Sequence, residues 1–235
     1  MKRRRAIAVF TTGITVVLLL AGAMPRLVEE SFPKQSHTSL TQPQSSSQQP
    51  ITTSAAQAGL EKLVVQGRAP KTGYARSQFG DGWATVSGCS TRDIILHRDL
   101  LNVQMEGECA VVSGTLHDPY TGKDITFSKD NASKVQIDHV VALSDAWQKG
   151  AQNLSAEKRL QLANDPLELL AVDGQANQQK SDGDAATWLP SNKPFRCEYV
   201  ARQIAVKIKY ILWVTQAEKD AIASVLQVCP EQQLP

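Results

Sequence analysis

Gln136-Ile137-Asp138-His139-Val140-Val141-Ala142-Leu143, answered further along by Asn177-Gln178-Gln179-Lys180, decides how the rest of the chain is read. An acid and an imidazole stand side by side on an apolar run rich in β-branched residues, which predicts a strand over residues 135–143. A second apolar run over residues 167–172 predicts a second strand, and Asp173-Gly174 then turns into a short helix carrying Asn177 and Lys180. Strand, strand, helix brings the carboxylate of Asp138 and the amide oxygen of Asn177 towards one point. Few and hard oxygen ligands suit Mg²⁺ or Mn²⁺, which keep several waters and take a phosphate oxygen into the shell. Consecutive side chains on a strand point to opposite faces, so His139 can share the site only if the strand twists or ends there. A neutral histidine in that position is a candidate general base, because its ordinary pKa lies near working pH. Taken singly, the Asp-His pair and the Asn-x-x-Lys pattern do not separate a site from packing; their joint arrangement does.

Outward from that stretch, Leu60, Leu63 and Val64 recur at helical spacing from about Ala55, and Gly67, Pro70 and Gly73 break the pattern. Residues 74–83, aromatic and punctuated by Gly80 and Gly82, read as a packed loop. Thr91 is placed to cap a short helix over residues 92–101. Residues 109–116 and 124–127 read as a hairpin across the turn Asp118-Pro119-Tyr120-Thr121-Gly122. Ser155 caps a helix over residues 156–163, which Asn164-Asp165-Pro166 stops. Residues 183–190 read as loop, and Thr215-Gln216-Ala217-Glu218 is a capping box before a last helix that Cys229 ties down.

Other polar and aromatic residues are weaker candidates. Arg92 could reach a substrate phosphate, with an ion pair to an acid such as Asp99 as the competing reading. Arg202, Lys207 and Lys209 read as a solvated basic flank. Trp147 and Trp188 read as packing ahead of base stacking, and His97 and His117 as surface or packing residues.

The N-terminus sets the compartment. Lys2-Arg3-Arg4-Arg5 precedes an apolar run to Ala21, and Ala21-Gly22-Ala23 offers the small-x-small pattern of a cleavage site, so residues 1–23 read as a signal peptide or an uncleaved anchor. Residues 24–54, centred on Gln, Ser, Thr and Pro, read as a disordered spacer, and residues 55–235 as the folded domain. The expected location is secreted or cell-envelope associated, with no membrane domain beyond that N-terminal segment. Cys89, Cys109, Cys197 and Cys229 form no Cys-x-x-Cys pair, so two disulfides are expected. Three pairings exist, and short local loops favour Cys89 with Cys109 and Cys197 with Cys229. The leader holds four basic residues and no acid, so cleavage after Ala23 takes the net charge from +2 to −2. A globally basic nucleic-acid binder is thereby excluded, and any polyanion must be held by local cations or a metal.

The 137–143 run, Asn164-Asp165-Pro166-Leu167-Glu168-Leu169-Leu170-Ala171-Val172 and Asn177-Gln178-Gln179-Lys180 together resemble the ββα-metal finger of HNH endonucleases. More narrowly, the chain resembles the secreted bacterial HNH family related to the C-terminal nuclease domain of GmrSD-type restriction enzymes. Tyr74, Arg76, Phe79-Gly80, Trp83, Arg98-Asp99-Leu100, Asp145-Ala146-Trp147 and Trp188-Leu189-Pro190 extend the likeness outside the finger. It implies an α+β fold, in which the finger (residues 135–182) sits in a small mixed domain with an additional hairpin and flanking helices. It implies Asp138 and Asn177 as ligands of a divalent metal, His139 as general base, and Lys180 as a catalytic group close enough to touch phosphate. One departure matters. Glu168 stands where the family pattern usually has Asn before the second strand's Leu, so the loop between strands is expected to be held another way, with Asn164 as the candidate. The implied function is an exported, metal-dependent endonuclease cutting phosphodiester bonds in DNA, with RNA as a second substrate. The lack of a helix-turn-helix or zinc finger goes with little base specificity. A non-catalytic cell-envelope binding protein on the same fold is the alternative, for which Glu168 and the acidic mature charge leave room.

Overall fold

The computed structural model of the chain describes residues 54–235. The expected leader, and all but the last residue of the expected spacer, lie outside the described residues. Ser54 opens the domain as the cap of α1 (Ala55–Lys62), in a capping box with Gln57. A 3₁₀ turn (Arg76–Phe79) lies within the expected loop, and β1 (Thr85–Val86) and β2 (Cys89–Ser90) form a small hairpin. Next come α2 (Thr91–Asp99) and an antiparallel sheet of β3 (Leu100–Glu106), β4 (Ala110–His117) and β5 (Asp124–Ser128) in that order. The finger consists of β6 (Val135–His139), β7 (Leu169–Asp173) and α5 (Gly174–Lys180), with α3 (Leu143–Gln148) and α4 (Ala156–Ala163) between the strands. Two longer helices, α6 (Arg196–Lys209) and α7 (Gln216–Leu226), complete the chain.

The β6–β7 ribbon is antiparallel, with Asp138 opposite Leu170 and His139 opposite Leu169. It is buried on both faces between two apolar clusters. Val135, Ile137, Leu169 and Ala171 pack on α2 and the three-stranded sheet, whereas Leu170 and Val172 join the larger cluster built on α1, α6 and α7. That explains why the second strand reads as a continuous apolar run rather than an alternating one. The free edge of β7 is closed by α2: Arg98 donates to the carbonyls of Pro166 and Leu169, and Asp99 accepts from the Ala171 N–H.

Gly174 starts α5 where the chain passes under Ser133, and a Cβ there would stand 2.1 Å from the Ser133 carbonyl oxygen. Only glycine fits that approach without moving backbone. Asp173 caps the helix by accepting from the Ala176 N–H at 2.7 Å.

Several local expectations are corrected. The 92–101 helix ends at Asp99 and is capped by Ser90, because Leu100 and Leu101 pair with Leu116 and Thr115 as strand. The 135–143 strand stops at His139, and Leu143 already belongs to α3. Helix α6, unforeseen, buries Tyr199, Val200, Ile204 and Val206, and with them Lys207, which is wholly enclosed and not part of a solvated flank. Both disulfides join as expected, Cys89 to Cys109 and Cys197 to Cys229. A loop of the latter size contributes about 3–4 kcal/mol in the chain-entropy account.

Candidate active site

Asp138 and His139 are the last two residues of β6, and they face opposite sides of the ribbon. The strand ends at His139, and both side chains, with Asn177 and Gln136 from the finger, line one cavity of about 460 Å³. A second cavity of about 400 Å³ lies on the other side of the imidazole, lined by Arg76, Phe79, Asp81, Trp83 and Ala163 among others.

Asp138 is 5 % exposed and held from two sides. The Tyr120 hydroxyl donates to Oδ2, and the Lys180 ammonium donates to Oδ1 at 3.0 Å. Burial raises the pKa of this carboxyl, and the Lys180 charge and the two hydrogen bonds oppose that rise. Tyr120 reaches it because the turn after β4 is anchored at both ends. Asp118 accepts from the N–H and hydroxyl of Thr121 with one oxygen, and from the Asp173 N–H at 2.8 Å with the other. The hairpin turn is thus bolted to the start of α5; the Asp118–Gly122 stretch is part of the family likeness, but its reading as a turn does not mark Tyr120 as a partner of Asp138.

His139 donates from Nε2 to the Ala163 carbonyl at 3.0 Å. A carbonyl only accepts, so Nε2 carries the proton and Nδ1 is the bare nitrogen. The ring lies within 7° of parallel to the Trp83 indole, with centroids 5.7 Å apart. Burial, then the nearby Arg76 charge, lowers its pKa to about 3, so the imidazole is neutral. Burial thus moves the pKa well below the working pH expected of a base, and what the fold supplies for proton acceptance is a ring held neutral in one tautomer and one orientation.

Asn177 lines the Asp138 cavity and donates from Nδ2 to Gln136 Oε1 at 2.9 Å, a bond that does not use its Oδ1. The donor set can be tested against a cation. A carboxylate has about four lone-pair sites, and Tyr120 and Lys180 occupy two. With the amide oxygen, this leaves a small set of hard oxygens beside room for water. That fits a Mg²⁺- or Mn²⁺-like ion and does not fit a structural zinc site. Among the described residues, no three of His, Cys, Asp and Glu gather as a metal cluster.

Lys180 departs from its expected place at the phosphate. Its side chain is wholly buried, and its ammonium donates to Asp138 Oδ1 and to the His139 carbonyl at 2.8 Å. Arg92 also departs from both of its readings. Its guanidinium donates to the Val135 carbonyl and lines neither cavity, while Asp99 pairs with Arg98.

Glu168 holds the loop that follows His139. Its carbonyl accepts from the Val140 N–H at 2.8 Å, and Oε2 accepts from the Val141 N–H at 3.2 Å. Gln203 donates to the Val140 carbonyl at 2.8 Å from α6. Asn164, the expected substitute, instead accepts from the Ala84 N–H and donates to the Leu160 carbonyl. Glu168 is fully buried, and burial drives its pKa well above the usual carboxylate range. Oε2 fills the acceptor role that an asparagine oxygen would have there, whereas the buried Oε1 has no partner among the described residues.

A raised folded pKa means that ionisation opposes folding. This carboxyl's contribution is therefore fully present below the unfolded value of 4.5 and declines as pH rises towards the folded value. Glu168→Gln is expected to raise the thermal midpoint more at about pH 8 than at about pH 5. Glu168→Ala is expected to lose about 1–3 kcal/mol by leaving the Val141 N–H unpaired. Thermal melts at the two pH values measure the first, and urea melts the second.

The family model for the C-terminal domain of GmrSD restriction endonucleases matches residues 91–225. The chain belongs to this HNH-type family. The match takes in α2, the three-stranded sheet, the whole finger, α6 and nearly all of α7. It leaves out Arg76 and Trp83, which stand before it. An uncharacterized secreted protein of Arthroderma benhamiae is 42 % identical over 179 residues, covering 75 % of this chain and 85 % of that protein. No solved structure matches the chain. Among the described residues, no helix is long and apolar enough to cross a membrane.

Proposed function

We propose that the chain is an exported endonuclease that hydrolyses phosphodiester bonds of nucleic acid, DNA first and RNA second, with the help of a divalent cation. The observation that carries the reading is the imidazole of His139. Its proton is fixed on Nε2 by the Ala163 carbonyl, and its ring lines the same cavity as Asp138 and Asn177. His139 accepts the proton of the attacking water at Nδ1. Asp138 and the Oδ1 of Asn177 would hold a Mg²⁺ or Mn²⁺ ion, which supplies polarisation of the phosphate and neutralisation of the leaving oxygen.

Lys180 is a positioning residue. Its charge opposes the rise in the Asp138 pKa that burial causes and its second bond fixes the His139 carbonyl, so one ammonium ties ligand and base together. Tyr120 orients the same carboxylate from the opposite side. Export is supported by the secreted relative, by the two disulfides and by the basic-apolar start of the chain. The binding-protein alternative drew on Glu168, and in this fold Glu168 braces the loop next to the base rather than disrupting it.

The test is the purified mature protein with supercoiled plasmid across a series of divalent cations. Nicking with Mg²⁺ or Mn²⁺ is expected, and none in a chelator. Asp138→Ala and Asn177→Ala are expected to weaken Mn²⁺ binding by at least about tenfold in calorimetry, the scale on which lost ligands and their supports act. Wild-type protein that nicks nothing with any cation would remove the nuclease reading.

A further inference from the structure

We infer that the cavity on the Trp83 side of His139 receives one unpaired nucleoside next to the scissile phosphate, so that single-stranded or frayed nucleic acid is preferred over intact duplex. The inference rests on the nuclease reading above and adds a substrate class to it. The two cavities meet at Arg76, His139 and Leu143, which line both. One contains the oxygen donors of Asp138 and Asn177. The other contains neither, and its volume of about 400 Å³ is in the range of pockets that enclose a small organic ligand.

The chemistry of that second cavity suits a base. The half-buried Trp83 indole stands parallel to the imidazole and forms an aromatic wall. The segment carrying it is pinned, since the Ala84 N–H donates to Asn164 Oδ1 at 2.8 Å and the Thr91 hydroxyl donates to the Ala84 carbonyl at 2.9 Å. A rigid ring is a better stacking partner than a mobile one, because less ordering entropy is lost on binding. Beside it, a Cβ added to Gly82 would meet nothing within 4 Å, so the cavity is open there. Asp81, exposed on the rim, can accept from a base N–H.

The seam between the cavities carries a cation. Arg76 is exposed and lines both sides, where the phosphate joining a seated nucleoside to the cleaved bond has to pass. A guanidinium matches phosphate oxygens in a bidentate fork. Aromatic wall, cationic seam and a lone acceptor make a stacking subsite for a nucleotide. A base held in a duplex keeps its own stacking neighbours and cannot enter such a pocket without being flipped out.

The experiment compares wild type, Trp83→Leu, Trp83→Phe and Ser77→Tyr. Ser77 lies on the exposed wall of this cavity and not of the other, so a tyrosine there blocks the pocket without touching the core or the oxygen donors. Binding of a fluorescein-labelled single-stranded DNA octamer is read by anisotropy in chelator, and cleavage of matched single strand and duplex is read in Mg²⁺. Wild type is expected to bind and cut the single strand better. Trp83→Leu and Ser77→Tyr are expected to lose roughly tenfold or more in single-strand affinity together with the strand preference, while Trp83→Phe keeps most of both. Unchanged affinity and strand preference in Ser77→Tyr and Trp83→Leu, or a wild type that cuts both strands of a duplex as fast as a single strand, would overturn the subsite and leave the nuclease standing. A wild type that neither binds nor cuts would overturn the nuclease reading itself.

Discussion

His139→Ala is expected to lower the nicking rate by about 10²–10⁴-fold, the usual contribution of a positioned proton acceptor, while Mn²⁺ affinity stays at the wild-type value. The expectation follows from where the ring sits. It is the one titratable group lining both cavities that is neutral and locked by a backbone acceptor, and it is not among the oxygen donors assigned to the cation. The variant leaves a space between Trp83 and the Ala163 carbonyl shaped for an imidazole. Added imidazole is therefore expected to restore part of the rate, and a structural defect would show no such rescue. Full nicking by His139→Ala would end the assignment of the base. A loss of Mn²⁺ affinity equal to that of Asp138→Ala would end the separation of base from ligand.

What could be read from the sequence, and what could not, divides along how local the physics is. The adjacent Asp138 and His139 and the Asn177-x-x-Lys180 turn announce themselves because each pair is fixed by one strand or one short helix. Their meeting in one cavity follows from the tight antiparallel ribbon between them, whose two apolar runs are plain in the chain. The Thr215 cap and the local disulfides are equally short-range features, though Glu218 turns inward to Lys149 and Lys207 and so closes no reciprocal box. Tyr120 is different. Its bond to Asp138 depends on Asp118 tying a hairpin turn to the Asp173 N–H, a contact between segments that no local pattern couples. Glu168 was readable as a departure but not as its own remedy, because its bonds to the Val140 and Val141 N–H groups exist only once the ribbon has folded. Lys180 was placed at the phosphate by the family likeness, yet a motif says nothing of depth, and depth makes it a partner of Asp138 instead. Lys207 failed for the same reason: the acids that make its burial tolerable come from other helices.

Those acids belong to a network whose disruption should have the largest effect on stability. Lys149→Ala is expected to destabilise the domain by about 3–5 kcal/mol, the scale for removing one partner of a buried charge cluster. The Lys149 ammonium is wholly enclosed and lies 2.7 Å from Asp145, 2.8 Å from Asp184 and 2.6 Å from Glu218. Arg68 bonds Asp145 and Asp184 from the rim, and Lys207 bonds Glu218 at 3.0 Å, so three cations balance three carboxylates. Deleting Lys149 leaves three acids facing two cations, away from water. The loss exceeds the value of any one pair because each carboxylate would then carry desolvation without full compensation. Only the Asp145–Lys149 pair, one helical turn apart, is visible in the chain; Arg68, Asp184, Lys207 and Glu218 arrive from four separate segments, and together they lock α3 to α6 and α7. Lys71→Ala, which breaks an exposed pair with Asp182, is the control and should change stability by less than about 1 kcal/mol. Urea melts of the two variants at neutral pH decide the matter. Similar midpoints for Lys149→Ala and Lys71→Ala would mean that the interior network contributes no more than a surface pair, and that apolar packing alone joins these helices.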